Sequence, residues 1–468
     1  MLKVVDIRLR RAELSTRMPF RYGIATLTDL PHVFAVAEIV FDKQRQFGVA
    51  ADHLPPKWFT KDPDQNPLDE IEDMLTVIRH ATGVAKGQTF DHAFAFWQHL
   101  DFEQASWGEG QGVPPLLYRF GTALIERAVI DAVCRAINQP FWRLLRENAF
   151  GINLGKIHPP LADDQPADWL PAEPLRRVYV RHTVGLSDPL RDSDLKEDER
   201  LADTLPQSLE SCIRAYGLRQ FKIKVTADGE ASIDRLRQVI RVIQNAVQGQ
   251  FSYSLDGNES FASVEQFRNF WDALEHDHEL RKSLPSLLFV EQPFHRDSAL
   301  GPKVGKALRA WELRPPLIID ESDGSPASLR TALECGYHGV SHKNCKGIFK
   351  GVANACLLAK RRQAGKPGLM SGEDLANVGP VAVCQDLAVQ AALGNGSVER
   401  NGHHYFCGLT MWPREVGEEM AGQHPELYGT RANDVTQLII RDGKIDLASV
   451  NAAPLGVAPL FPNLGKEL

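Results

Sequence analysis

The spacing of apolar residues changes near residue 176. Before that point, a continuous apolar run at 32–41 predicts a strand, and residues 68–83 and 116–140 place apolar residues at helical spacing. The N-terminal part is therefore predicted to consist of strands followed by helices. After residue 176, short apolar runs alternate with stretches of helical pattern, which indicates successive βα units.

Eight short apolar runs are the predicted strands of the second region. Strands that alternate with helices form a parallel sheet, and eight such strands favour a closed barrel of the α/β class. The runs are residues 177–185, 221–225, 251–259, 286–294, 316–322, 339–347, 367–374 and 403–409.

The charged, proline-containing stretch 186–210 interrupts this order after the first predicted strand. Its length is unusual for a loop in a compact domain, so it is predicted to be a surface insertion. Two interpretations stay open: a solvated structural excursion, or a segment that overhangs a site at the end of the barrel.

Charge and composition exclude some classes of partner. The 468 residues carry a formal net charge of −7, which does not favour binding to nucleic acid or to an anionic membrane. No apolar run approaches the ~18 residues of a membrane span, and no basic segment followed by an apolar core suggests a secretory signal. The seven cysteines are scattered without paired spacing, which favours reduced thiols and therefore a cytoplasmic protein.

Two lysines lie on one face of the second predicted strand, which reads FKIKV. Lys222 and Lys224 are two residues apart, so their side chains point the same way. A nearby positive charge disfavours an ammonium group, so Lys222 is predicted to lower the pKa of Lys224. Lys224 would then be a general base, with Lys222 beside the substrate carboxylate and Lys343 across the site.

Three consecutive predicted strands end in carboxylates, Asp256, Glu291 and Asp320. A single carboxylate after a strand more often caps the next helix, but parallel strands of a barrel bring their C-terminal ends to one mouth. Three carboxylates held together need a cation, and oxygen ligands favour Mg²⁺ or Mn²⁺ over Zn²⁺. Such an ion can clamp a substrate carboxylate and stabilise charge that develops on it.

Several other residues are candidates either for a role at the substrate or for a purely structural role. Glu373 ends the seventh predicted strand, where it could assist the reaction. His403 and His404 begin the eighth, and contact with substrate and a structural role are equally open. Phe20 and Trp58 could form an apolar wall over the site or pack in the core.

The ordered motifs FKIKV, LDGNE, FVEQPF, IIDES and VSHKNCKG resemble those of the enolase superfamily, specifically its muconate cycloisomerase-like and mandelate racemase-like branches. Residues 18–23 resemble the mobile loop that closes over substrate. The resemblance implies a modified TIM (β/α)7β barrel with an α+β capping domain. Residues 1–145 would form the capping domain, 146–425 the barrel, and 426–468 a C-terminal segment that returns to the cap.

The resemblance also implies a function. Lys224 and Lys343 would remove or return the proton α to a carboxylate from opposite faces, giving an Mg²⁺-stabilised enediolate. Asn258 and Glu321 would support the site, and Tyr22 of the loop would contact substrate. The outcome would be racemisation, epimerisation, cycloisomerisation or β-elimination of a small carboxylic acid, by an enzyme that forms a homo-oligomer.

Two alternatives remain beside this interpretation. One is an acid-sugar dehydratase that uses lysine bases without a His–Asp dyad. Glu373 stands about where the racemase and dehydratase branches carry a catalytic histidine, which counts against the commonest dehydratase arrangement. The other is a barrel that has lost catalysis and serves as a binding or assembly protein. The presence of all five core ionisable residues disfavours the second alternative.

Overall fold

Long antiparallel strands form the N-terminal sheet. In the computed structural model, which describes residues 1–22, 24–430 and 434–468, β1 and β2 pair along most of their length and β2 pairs with β3. The strands are β1 (Leu2–Tyr22), β2 (Ala25–Phe41), β3 (Gln44–His53) and the short β4 (Thr89–Phe90).

Four helices follow this sheet, and the longest of them packs against it. The helices are α1 (Pro67–Ala85), α2 (Ala93–Gly110), α3 (Pro115–Ile137) and α4 (Phe141–Arg146). Gly48 of β3 permits close packing on α3, because a Cβ atom there would lie 2.2 Å from the backbone nitrogen of Ala132. Arg127 of α3 pairs with Asp52 of β3 at 2.7 Å, and both side chains are fully buried.

Eight parallel strands close into a barrel, as predicted. They are β5 (Arg177–Val184), β6 (Gln220–Lys224), β7 (Ser252–Asp256), β8 (Leu287–Glu291), β9 (Leu317–Ile319), β10 (Gly339–His342), β11 (Leu369–Gly372) and β12 (Ser397–Arg400). Each strand pairs with the next, and β12 pairs with β5 to complete the ring. This confirms the closed α/β barrel.

The prediction of the eighth strand was wrong. The strand is β12, whereas residues 403–409, the predicted eighth strand, begin inside a short helix at Gly402–Tyr405. The apolar pattern of this segment comes from Tyr405, Phe406 and Leu409. These side chains pack into the core from the segment beyond the barrel, and the segment does not join the hydrogen-bond ladder of the sheet.

Helices cover the outside of the barrel, and a short one follows its last strand. They are α5 (Pro166–Trp169), α6 (Leu209–Tyr216), α7 (Gly229–Ala246), α8 (Val264–His276), α9 (Arg296–Ala299), α10 (Pro302–Ala310), α11 (Ser328–Cys335), α12 (Ile348–Gln363), α13 (Ala382–Leu393) and α14 (Gly402–Tyr405). None of the helices in the described ranges is long and apolar enough to cross a membrane.

The C-terminal residues contact both parts of the molecule. The elements are α15 (Arg414–Gln423), β13 (Tyr428–Thr430), β14 (Thr436–Leu438), β15 (Lys444–Asp446), α16 (Ala448–Ala452) and β16 (Lys466–Glu467). β15 pairs with β5 of the barrel, and β16 pairs with β1 of the N-terminal sheet. A TIM barrel with a capping domain is therefore the observed fold.

The stretch 186–210 is an irregular segment that contacts the N-terminal hairpin. Arg17 of β1 pairs with Asp203 at 2.5 Å and donates to the backbone carbonyl of Pro206 at 3.3 Å. The same guanidinium donates to the carbonyl of His404 at 3.0 Å. The insertion therefore connects the hairpin to the segment after the last barrel strand.

Candidate active site

The lysines of β6 point into the barrel mouth, which we define as the C-terminal ends of β5–β12. Phe221 and Ile223 alternate with Lys222 and Lys224, and all four are buried. Because side chains alternate along a strand, the apolar pair faces the helices and the lysines face inward. The sequence-based interpretation of this strand places both ammonium groups correctly.

The Lys222 ammonium lies among four carboxylates. Its Nζ is 2.9 Å from Asp256, 2.9 Å from Glu291, 2.7 Å from Glu373 and 2.9 Å from Glu399. Burial opposes its charge, but the carboxylates, Asp256 foremost, raise the pKa of Lys222 well above its usual range. Two of these carboxylates, Glu373 and Glu399, come from strands far away in the sequence and were not among the predicted partners of Lys222.

The other two lysines each bind one carboxylate. Lys224 Nζ donates to Asp256 at 2.6 Å, and Lys343 Nζ donates to Asp320. Burial opposes both carboxylate charges, but the lysines outweigh it and lower the pKa of Asp256 and Asp320. Asp320 in turn raises the pKa of Lys343 against the effect of burial. A second cation, Lys346, lies 2.8 Å from Asp320.

Glu291 is the least satisfied of the predicted metal ligands. It is fully buried, and neither of its oxygens accepts a hydrogen bond; Lys222 lies 2.9 Å away but outside hydrogen-bonding geometry. Burial first, and then Glu373, raises the pKa of Glu291 well above its usual range. A buried carboxylate with free lone pairs beside Asp256 and Asp320 fits an oxygen-ligated divalent cation.

The two predicted supporting residues lie beside these ligands. The backbone N–H of Asn258 donates to Asp256 at 2.8 Å, and its side-chain amide reaches Glu321 at 3.5 Å. Burial raises the pKa of Glu321 to about 7, with Asp320 as the next contribution. Because one Glu321 oxygen is buried without a partner, this carboxylate is a further acceptor at the same edge.

The cavity above these groups is covered by residues of the N-terminal region. Phe20 and Trp58 line it together with Lys224, Lys343 and Asp256. The Lys343 ammonium lies 4.9 Å from the centre of the Trp58 ring, at cation–π distance. Both aromatic residues therefore form the apolar wall that was one of their two interpretations. The side chain of Tyr22 is outside the described part of the structure.

Glu399 is a site residue that sequence reasoning missed. It lines the cavity, accepts hydrogen bonds from Lys222 at 2.9 Å and Thr183 at 2.5 Å, and belongs to the strand that was misplaced. Glu373 lies below the cavity, where Arg181 donates to it and Lys222 approaches. The signal for Glu399 was the alternating SVER run after the glycine-containing turn at 394–396.

The paired histidines lie away from the cavity. His403 and His404 are on α14, and neither lines the space between Lys224 and Lys343. His404 Nδ1 lies 3.5 Å from Cys212 Sγ, and His403 Nε2 lies 3.3 Å from His182 Nδ1. Of the two open interpretations, the geometry favours a role outside the substrate cavity.

Several solved structures share this architecture over nearly the whole chain. The N-succinyl Arg/Lys racemase from Bacillus cereus ATCC 14579 is 16% identical, with a TM-score of 0.60 over 96% of this chain and 97% of that one. A mandelate racemase/muconate lactonizing protein from Herpetosiphon aurantiacus is 15% identical, with a TM-score of 0.59 over 97% and 98%. An enolase from Bradyrhizobium, complexed with magnesium and mandelic acid, is 14% identical, with a TM-score of 0.59 over 98% and 96%.

At these identities the similarity establishes the fold. The chain has the barrel-and-cap fold of the mandelate racemase/muconate lactonizing proteins, which confirms the fold that the sequence resemblance implies. No protein-family model and no curated protein sequence matches the chain.

Proposed function

We propose that the chain is a magnesium-dependent enzyme that removes the proton α to the carboxylate of a small carboxylic acid. The observation that carries the proposal is the convergence of Lys224 and Lys343 on one cavity, from strands β6 and β10. Each lysine is beside one of the carboxylates proposed as metal ligands. Proton acceptors on two sides of a bound acid are what racemisation or epimerisation at its α-carbon requires.

Asp256, Glu291 and Asp320 would hold the ion. The bound ion would supply positive charge that stabilises the enediolate form of the substrate. The negative charge of these carboxylates is compensated by Lys222, Lys224 and Lys343. The oxygens of Glu291 accept no hydrogen bond and remain available to a metal ion.

Lys224 and Lys343 would act as the acid and base at the α-carbon. Each is nearly fully buried, so a proton moved by either does not exchange freely with bulk water while the site is covered. The ring of Trp58 restricts the position of the Lys343 ammonium, and the bond to Asp256 restricts that of Lys224. Fixed positions on two sides of the substrate lower the entropic part of the barrier.

The hairpin of β1 and β2 would control access. The cavity, with a volume of about 50 Å³, lies beneath this hairpin. Phe20 covers it and stacks on Tyr405 with ring centres 4.2 Å apart. Displacement of Phe20 would widen the access of substrate to the cavity, in keeping with the resemblance of residues 18–23 to a loop that closes over substrate.

Exchange of the α-proton with deuterium tests the proposal. N-acyl amino acids and α-hydroxy acids are incubated in D₂O with Mg²⁺, and loss of the α-proton signal is followed by NMR. We expect exchange that requires Mg²⁺. Each of the substitutions Lys224→Ala and Lys343→Ala should abolish exchange for one enantiomer. Lys360→Ala, a change on the outer helix α12, is the control and should leave exchange unchanged.

The outcomes separate the competing interpretations. Exchange with loss of water in place of inversion would identify a dehydratase, and exchange that survives both lysine substitutions would refute the two-base assignment. A protein that binds Mg²⁺ but exchanges no proton in a broad library of acids would favour the binding or assembly role.

A further inference from the structure

A second group of potential metal ligands lies outside the barrel mouth. We define the His–Cys cluster as His182 on β5, Cys212 on α6 and His404 on α14, all three buried. Arg181 and Thr183 point into the barrel, where they bond to Glu373 and Glu399. Because side chains alternate along a strand, His182 between them points outward to the helix layer.

The potential ligand atoms of the cluster lie close enough together to share one ion. One potential ligand atom from each of the three residues lies within 4.8 Å of the others. Cys212 Sγ and His404 Nδ1 are 3.5 Å apart. Metal–ligand bonds of about 2.0–2.3 Å at the tetrahedral angle place ligand atoms about 3.4–3.7 Å apart, so only small side-chain movements are needed.

A fourth residue fixes the orientation of the cluster. His403 Nε2 lies 3.3 Å from His182 Nδ1, which leaves Nε2 of His182 for an ion. A hydrogen bond to the second ring nitrogen is the usual way in which proteins orient a metal-binding histidine.

The donor atoms select the class of ion. One sulfur and two imidazole nitrogens suit Zn²⁺ and are poor ligands for Mg²⁺, which prefers oxygen. We propose that His182, Cys212 and His404 bind one Zn²⁺ ion, with water at the fourth position. The Cys212 thiol would release its proton to solvent when the sulfur–zinc bond forms.

Such an ion would connect the first and last units of the barrel. β5 and α6 belong to the first unit, and α14 follows the last strand. Tyr405, the residue after His404, stacks on Phe20 over the substrate cavity and donates to Asp188 at 3.0 Å. Zinc would therefore position Tyr405, on which Phe20 stacks, without touching substrate.

Metal content and spectroscopy test the site, independently of the proposed function. Untagged protein, purified without chelator, is expected to contain one equivalent of zinc. Zinc-free protein titrated with Co²⁺ should develop the near-ultraviolet charge-transfer absorption of a thiolate–cobalt bond with one equivalent of metal. Cys212→Ser should abolish this absorption, whereas Cys356→Ser, which alters another buried thiol on a barrel helix, should retain it.

A second measurement keeps the test independent of variant folding. X-ray absorption at the zinc edge of the wild-type protein should show one sulfur and at least two nitrogen neighbours. Asp256→Asn should leave the zinc content unchanged, because that residue belongs to the barrel mouth. Absence of bound zinc and cobalt, a zinc shell without sulfur, or equal loss of absorption in Cys356→Ser would each overturn the proposal.

Discussion

The barrel mouth and the His–Cys cluster are both buried, but the balance between burial and neighbouring charges in setting pKa values differs between them. At the mouth, Lys222 and Asp256 lie 2.9 Å apart, and each favours the charged form of the other. In the cluster, burial alone lowers the pKa of His182 to about 4, and burial raises the pKa of the Cys212 thiol. The mouth therefore holds ion pairs such as Lys222–Asp256, while the cluster holds neutral side chains.

The difference follows from which side chains converge. The ends of seven parallel strands, β6 to β12, bring acids and lysines together, so the cost of desolvation is offset by attraction between opposite charges. The cluster lies between one strand and two helices, where burial is the largest cause of the pKa shift of each of its three residues. A charged mouth suits a hard ion such as Mg²⁺, and a neutral cluster suits a softer ion that displaces a thiol proton.

Removal of the central lysine should give the largest effect on stability. Lys222→Met leaves four carboxylates without their shared cation, so we expect the unfolding free energy to fall by about 3–5 kcal/mol. Mg²⁺ should restore part of this loss, and should stabilise the variant more than it stabilises the wild type in thermal unfolding. Lys360→Met on the outer surface is the control; equal Mg²⁺ effects in the two variants would contradict the proposed metal site.

Glu291→Gln should change metal affinity and stability in opposite directions. Removing a ligand should weaken Mg²⁺ binding by more than about 100-fold, measured by calorimetry. Without metal, the variant should be more stable by about 1–3 kcal/mol near neutral pH, because it lacks a buried carboxylate that accepts no hydrogen bond and is costly to ionise.

The pH dependence of the Glu291→Gln effect has a defined sign. The pKa of Glu291 is raised in the folded protein. The destabilisation that this carboxyl group causes therefore appears at pH values above its ordinary pKa of 4.5 and grows as the pH rises. The stability difference between variant and wild type should therefore vanish below that pH. A constant difference across the range would show that Glu291 does not titrate as the structure indicates.

The two metal sites should act independently. At a free Zn²⁺ concentration about 100 times Kd, the unfolding free energy should rise by about 2.7 kcal/mol in the wild type and not in Cys212→Ser. The Mg²⁺ affinity of Cys212→Ser should stay within about twofold of wild type, because sites this distinct are close to additive. A parallel loss of both metals would mean that the mouth and the cluster are one coupled unit.

The smallest effect should come from the contact between hairpin and insertion. Asp203→Asn keeps the size of the side chain but removes the charge that faces Arg17. The contact between the β1–β2 hairpin and the insertion should therefore weaken by about 1 kcal/mol. We expect a rise in KM of a few-fold with little change in kcat. Glu279→Gln removes a similar pair with Arg241 on the outer surface, and should leave both constants unchanged.

Local pattern predicted most residues of the mouth, though not Glu399, and did not predict their electrostatics. Strand alternation suffices to place Lys222 and Lys224 on the inner face, since it depends only on neighbouring residues. The pKa of Lys222 depends on Glu373 and Glu399, which are more than a hundred residues away in the chain. The electrostatic surroundings of Lys222 could therefore not be predicted from its own strand.

Two other features were beyond the reach of local pattern. β12 has four residues and few apolar ones, so the longer apolar run after it was the stronger signal for a strand. His182, Cys212 and His404 come from an outward strand face and two helices, and only tertiary packing brings them together. Histidine and cysteine at wide, irregular spacing carry no recognisable motif.

Closure of the barrel between β5 and β12 constrains the order in which the chain can fold. The paired residues Val180 and Val398 are about 220 residues apart, so this ladder forms only after almost the whole barrel has been synthesised. Until then, the edge of β5 remains open to other chains. We expect the nascent chain to be most prone to aggregation in this interval, so that chaperones and expression temperature determine the yield.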